Sequence, residues 1–151
     1  MRQYHYVVEP DGRILHDGTE IVDPATLRLF LRAMQRTSDG RWLVVCQGEH
    51  NWFEATDTPF VIQRLRFQTE QTRVRAVELC LAGELHEPLD PASLESEAGL
   101  LFCKIRGGVF RARFGRVAMQ QLSPFLTDDG GAPALIVDGR PYPIAERASD
   151  R

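Results

Sequence analysis

Leu100-Leu101-Phe102-Cys103-Lys104-Ile105-Arg106-Gly107-Gly108-Val109-Phe110-Arg111-Ala112-Arg113-Phe114 is the stretch whose reading decides the fold. Two runs of apolar and basic residues flank a Gly-Gly pair, which suits a tight hairpin turn because both glycines accept positive φ. A turn at Gly107-Gly108 sets Ile105 opposite Phe110, Lys104 opposite Arg111, Cys103 opposite Ala112 and Phe102 opposite Arg113. Side chains alternate between the two faces of a strand. Leu101, Cys103, Ile105, Phe110, Ala112 and Phe114 then form an apolar face directed at a core. The other face collects Lys104, Arg106, Arg111 and Arg113, with Phe102 and Val109 among them.

Downstream, Ala118, Leu122 and Phe125 repeat at helical spacing from about Arg116, and Asp128-Asp129-Gly130-Gly131 is read as the end of that helix. Leu135-Ile136-Val137, Asp138-Gly139 and Arg140 to Ile144 form a closing hairpin. The same order stands at the start of the chain. Tyr4 to Val8, the turn Glu9-Pro10-Asp11-Gly12 and Arg13 to His16 make a hairpin. Asp23-Pro24 opens a helix with Leu27, Phe30, Leu31 and Met34 on one side, which Ser38-Asp39-Gly40 is read to end. Trp42 to Cys46 and His50 to Ala55 pair about Gln47-Gly48-Glu49.

The expected fold is therefore α+β: two tandem hairpin–helix–hairpin repeats, about 4–55 and 100–144, packing antiparallel sheets with two main helices around one core. A central hairpin (60–81) and an acidic loop (82–99) join them within a single compact domain, 1–151, and residues 145–151 are read as a tail. Leu27, Phe30, Leu31, Ile105, Phe110, Phe114 and Leu122 are the expected core. In the central hairpin a loop at Thr69 to Thr72 sets Arg66 opposite Arg75, with Arg64 and Arg73 on the same side.

The chain has 151 residues and a net charge of −3, which argues against general affinity for nucleic acid. No apolar run is long enough to span a bilayer, and the N-terminus has no signal-peptide pattern. Cys46, Cys80 and Cys103 form no Cys-x-x-Cys pair; reduced thiols in a cytoplasmic protein are expected. There is no Walker-type loop, no dinucleotide fingerprint, no nucleophile elbow and no His-Glu-x-x-His, so neither cofactor nor metal is expected. His5 and His16, read as opposite one another, are too few for zinc.

Tyr4-His5-Tyr6-Val7 through Asp11-Gly12-Arg13-Ile14-Leu15 resembles the opening of domain-of-unknown-function family 4505, also described as uncharacterised protein family 0598. Cys46, Glu49, Asn51, Trp52, Asp57 and Pro59 are similar to its later motif, and Gly108 through Leu122-Ser123 to its glycine-rich segment and helix. The chain departs from it at Gln47, where that family has Gly, and at Phe102-Cys103-Lys104, where it has Tyr-His-Pro. Asp57-Thr58-Pro59-Phe60 and the arginine-rich hairpin before a helix also resemble bacterial family 1285 of unknown function. That resemblance implies two repeated α+β units and a link to signalling. Neither family supplies catalytic residues to carry over.

Like charges directly opposite one another cost stability, so Lys104 facing Arg111 points to an anion on that face. One source is internal: residues 84–98 hold Glu84, Glu87, Asp90, Glu95 and Glu97 with no Lys or Arg, and this loop, folded over the hairpin, neutralises it. The other is external: an anionic small molecule or acidic protein segment bound by Lys104, Arg106, Arg111 and Arg113 beside Phe102. The expected function is a non-enzymatic binding or regulatory module, with Glu49, His50 and Asn51 as further contact residues. The alternative is a small enzyme acting on an anionic substrate, with Glu49 and His50 as acid–base groups. An enzyme requires a pocket in which Glu49 or His50 converges with Arg111 or Arg113.

Overall fold

The aromatic strand β1 (Gln3–Val8) turns back as β2 (Ile14–His16), and β3 (Thr19–Glu20) adds outside it. The turn between β1 and β2 requires glycine: Gly12 has φ +89, and a Cβ there would come within 2.9 Å of the Gln63 side chain. In this computed structural model, which describes residues 2–148, His16 lies over Tyr6 and its Nδ1 is 3.0 Å from the His5 carbonyl. The two histidines are thus not opposite each other; Val7 pairs with Leu15, which sets the register one residue away.

Helix α1 (Pro24–Ala33) starts as its sequence predicts, with the Asp23 carboxylate accepting from the Thr26 amide at 3.1 Å. Leu27, Phe30 and Leu31 form its buried stripe. It ends earlier than the spacing suggests. Met34 has extended backbone (ψ 131), which frees β4 (Gln35–Arg36) to pair with β5 (Trp42–Cys46). β6 (Glu49–Glu54) pairs antiparallel with β5 and parallel with β1, giving a six-stranded sheet in the order β3-β2-β1-β6-β5-β4. The parallel seam runs from Gln3 opposite His50 to Val7 opposite Glu54.

β7 (Val61–Ile62) and β8 (Arg64–Glu70) follow, then β9 (Arg73–Leu81). The turn joining β8 to β9 lies at Gln71-Thr72, with Gln71 at φ +58 and a bulge at Gln68/Thr69. This shifts the register from the expected one: Arg66 faces Glu78 rather than Arg75, and Arg75 pairs with Glu70 and Asp138. The segment read as an acidic loop contains two strands, β10 (Leu85–Pro88) and β11 (Glu95–Glu97). β10 pairs with β9. Between them Asp90 caps the short turn Pro91–Ser93, as Asp90-Pro91 predicts.

β12 (Leu100–Ile105) and β13 (Phe110–Phe114) form the hairpin in the predicted register, Ile105↔Phe110 through Phe102↔Arg113. α2 (Arg116–Leu122) packs behind it and gives way to the tight turn Ser123–Phe125. β14 (Leu126–Asp129) then occupies residues read as the end of the helix. β15 (Ala132–Val137) and β16 (Arg140–Pro143) make the closing hairpin. The expected tail contributes β17 (Ala145–Glu146), parallel to β11; residues 149–151 of that segment lie outside the described part of the chain.

The result is a mixed α+β, strand-rich fold with four sheets and two α-helices among the described residues. Hairpin, helix, hairpin occurs in both halves, but the sheets are joined differently. β12 and β13 sit in a five-stranded sheet (β17-β11-β12-β13-β7), whereas β14-β15-β16 stand apart. One cluster of buried residues draws on both halves: Leu27, Phe30, Leu31, Ile105, Phe114 and Leu122 belong to it. Phe110, expected in the core, is only half-buried because it sits at the turn end of its strand and packs against the cluster from the rim. Among the described residues no helix is long and apolar enough to cross a membrane.

Candidate functional site

The basic hairpin face is built on the register that its sequence dictates, but its charges are held within the molecule. Glu95 stands opposite Phe102, and Phe102 opposite Arg113, so these three side chains lie in one row across the sheet. Arg111 lies flat on Phe102, its guanidinium carbon 3.5 Å from the ring centre, and reaches Glu95 at 3.2 Å and Glu97 at 3.5 Å. Phe102 is fully buried as a result. Arg113 pairs with Asp57 at 3.2 Å and donates to the Pro10 carbonyl at 2.9 Å; its side chain is 11% exposed. The acidic segment thus neutralises the hairpin by joining its sheet as the strand beside β12, not by folding over it.

Arg106 leaves the face altogether. The connection between strands spans Arg106 to Val109, with Arg106 and Gly107 both at positive φ and the Gly108 amide donating to the Ile105 carbonyl at 3.1 Å. Arg106 therefore sits in the turn, where strand alternation no longer applies. Its guanidinium covers Phe110 and donates to the carbonyls of Leu31 (3.3 Å) and Met34 (3.4 Å). A cation on the last carbonyls of α1 complements the negative end of the helix. Of the four basic side chains, Lys104 alone makes no ion pair, ring contact or side-chain hydrogen bond among the described residues.

Glu49, His50 and Asn51 stand at the start of β6 on the first sheet. Asn51 faces the core, donating to the Val44 carbonyl at 3.1 Å and accepting from Tyr6 Oη at 3.3 Å. Burial pushes the Tyr6 phenol up, and nearby Tyr4 and Glu49 add to it. His50 packs edge-on against Trp52 on the opposite face. Burial also pushes the Cys103 thiol far above its ordinary range, with Glu87 and Asp90 adding, so it is held as an inert thiol. All three cysteines are free.

A cleft of about 710 Å³ was not singled out by sequence reasoning. It lies on the face of the first sheet turned away from α1, at the C-terminal ends of the two parallel strands β1 and β6. Alternation explains the placement: Tyr6 and Phe53 stack on Phe30 of α1, so their neighbours His5, Val7, Trp52 and Glu54 point the other way. One arginine–tryptophan stack stands on this face, Arg41 over Trp52 at 3.8 Å; Trp42, opposite Phe53, turns to the core side against Phe60 and Phe110, with Arg36 5.1 Å over its ring at the rim of the cleft. Against these two arginines stand the carboxylates of Glu9, Asp17, Glu54 and Asp57. Asp57 is held by Arg113, while Glu9 and Glu54 have no ion-pair partner among the described residues. The cleft contains neither Glu49, His50, Arg111 nor Arg113, so the convergence that an acid–base site on an anionic substrate requires is not met there. The signal in the sequence was modest: a tryptophan on the strand that pairs with one following the arginine-bearing turn at Arg41.

The fold is that of a strand-rich α+β protein with a concavity on an open sheet face. Its likeness to solved structures is to DUF1285 family proteins. One from Silicibacter pomeroyi DSS-3 superposes with a TM-score of 0.68 at 17% identity, covering 94% of this chain and 81% of that one. Another from Shewanella baltica OS155 gives a TM-score of 0.53 at 14% identity, covering 74% and 84%. At such identities the shared property is the fold. No protein-family model and no curated protein matches the sequence, and the resemblance to family 4505 finds no counterpart, whereas that to family 1285 does.

Proposed function

We propose that the chain is a non-enzymatic binding or regulatory module whose ligand occupies the cleft on the first sheet. The observation that carries this is the placing of Trp52 beside unpartnered carboxylates in a cavity of about 710 Å³, within the usual range of roughly 300–1,000 Å³ for ligand pockets. The hairpin arginines, by contrast, already have intramolecular partners. Carboxylates outnumber arginines in the cleft, so the favoured ligand is a cationic side chain with apolar surface, such as a Lys- or Arg-bearing peptide segment. The aliphatic stem of such a group packs on the Trp52 indole while its charge meets Glu9 and Glu54.

A second reading keeps the anionic ligand on the hairpin. It is favoured by one observation: Arg111 Nη2 is enclosed without a hydrogen-bond partner among the described residues.

Tryptophan fluorescence separates the two. Titration with a lysine-rich peptide is expected to give a saturable change that Trp52→Ala weakens at least about tenfold and Glu54→Lys removes. A glutamate-rich peptide is expected to give none. Saturable binding of the glutamate-rich peptide, lost in Arg111→Glu, would move the site to the hairpin. Absence of binding by either peptide would overturn the cleft.

A further inference from the structure

β9 and β10 bring three metal-ligating side chains onto one face of their sheet. Glu78 and Cys80 are two positions apart on β9 and so share a side, and His86 on β10 stands directly opposite Cys80. One ligand atom from each lies within 4.8 Å of the other two. His86 Nδ1 is 3.4 Å from Glu78 Oε1. Two ligands at about 2.0–2.1 Å from one tetrahedral zinc are separated by roughly 3.4 Å. The other imidazole nitrogen, Nε2, is enclosed and has no hydrogen-bond partner among the described residues. Cys80 is almost completely buried behind this pair.

We propose that Glu78, Cys80 and His86 form a three-ligand site for a zinc-type divalent cation. The donor set carries the choice of metal: thiolate and imidazole favour zinc over magnesium or calcium, which take oxygen ligands. Thiolate and carboxylate together supply two negative charges, matching the cation. Three protein ligands leave one tetrahedral position open for water or an anion. Arg64 and Arg66, opposite Cys80 and Glu78 on β8, flank it. Arg66 now stands 3.4 Å from the Glu78 oxygen that also faces His86, and its side chain is 60% exposed, free to swing into solvent when the metal enters. Thiolate coordination displaces a proton, so metal binding tightens as pH rises.

Cobalt(II) is the probe. Added to the metal-free protein, it is expected to give thiolate-to-cobalt charge-transfer absorption at one equivalent, removed by one equivalent of zinc. Cys80→Ser should abolish the absorption. His86→Gln, at a half-exposed position that tolerates the change, should weaken zinc binding by at least about 100-fold, the upper range for loss of even an outer-sphere partner. Arg66→Gln should tighten it by freeing Glu78. No absorption at saturating cobalt would overturn the site. So would absorption that survives Cys80→Ser but is lost in Cys46→Ser, or a His86→Gln variant that folds and binds zinc like the native chain.

Discussion

The N-terminal and C-terminal halves place hairpin, helix and hairpin in the same order and assemble them by different seams. In the first half β1 and β6 pair in parallel, so both hairpins share one sheet behind α1. In the second half β13 takes its parallel partner from outside, β7, and the closing hairpin forms a sheet of its own with β14. The helices differ accordingly. α1 has ten residues and a side-chain cap; α2 has seven and none, because Gly115 precedes it. Gly115 donates to the Ile62 carbonyl at 2.9 Å, and a Cβ there would sit 3.1 Å from that oxygen. Close approach to β7 therefore takes precedence over capping. Hairpins are closed by their own turns, while parallel seams need a distant strand, and the distant strand available differs between the halves.

The largest expected effect tests the first seam. Phe53 is 5% exposed, stacked on Tyr6 and edge-on to Phe30. Phe53→Ala should cost about 3–5 kcal/mol in a denaturant melt; a loss under about 1 kcal/mol would mean that this aromatic cluster does not hold the first sheet to α1. The corresponding change in the second half, Phe110→Ala, should cost less, about 1.5–3 kcal/mol, because the ring is half-buried at the end of its strand. Equal losses would erase the asymmetry between the halves.

A sharper test concerns charge. Arg113→Ala leaves Asp57 without its ion-pair partner and the Pro10 carbonyl without its donor at a largely enclosed site, and should cost about 1–3 kcal/mol. Lys104→Ala on the same face should change stability by no more than about 0.5 kcal/mol. Matching effects would mean that Arg113 is as solvated as Lys104. The smallest effect is the pH dependence of the α1 cap. Hydrogen bonds from the Thr26 side chain and then its amide lower the Asp23 pKa, so the ionised cap is favoured in the folded state. Its contribution is complete above the ordinary carboxylate value of about 3.9 and is lost as pH falls through the lowered one. Asp23→Ala should therefore flatten the acid limb of thermal stability; α2, with no such carboxylate, offers no equivalent.

The hairpin 100–114 was legible to the register, because the Gly-Gly turn and the alternation of apolar and basic residues agree. The start of α1 was legible from Asp23-Pro24, and the core positions from helical spacing. What could not be read was where helices stop for strands to begin. Met34 and Leu126 are apolar at helical spacing, yet both lie where the chain turns extended, and only the partner strands β5 and β15 explain it. The central hairpin was misread because its bulge and the left-handed Gln71 leave no glycine signature.

The candidate sites divide the same way. Sequence by itself determined the α+β class, the Gly-Gly hairpin turn, the first cap and the concentration of positive charge on the β12–β13 face, since each depends on residues close along the chain. Tertiary structure decided what that charge is for. Glu95 and Glu97 reach Arg111 from the neighbouring strand β11, Asp57 reaches Arg113 from the segment between β6 and β7, and Arg106 caps a helix more than 70 residues away. The cleft at Trp52 and the Glu78–Cys80–His86 cluster are likewise products of pairing: β1 beside β6, and β9 beside β10. Alternation states which side chains share a face of one strand, but the choice of neighbouring strand decides which chemistry they meet.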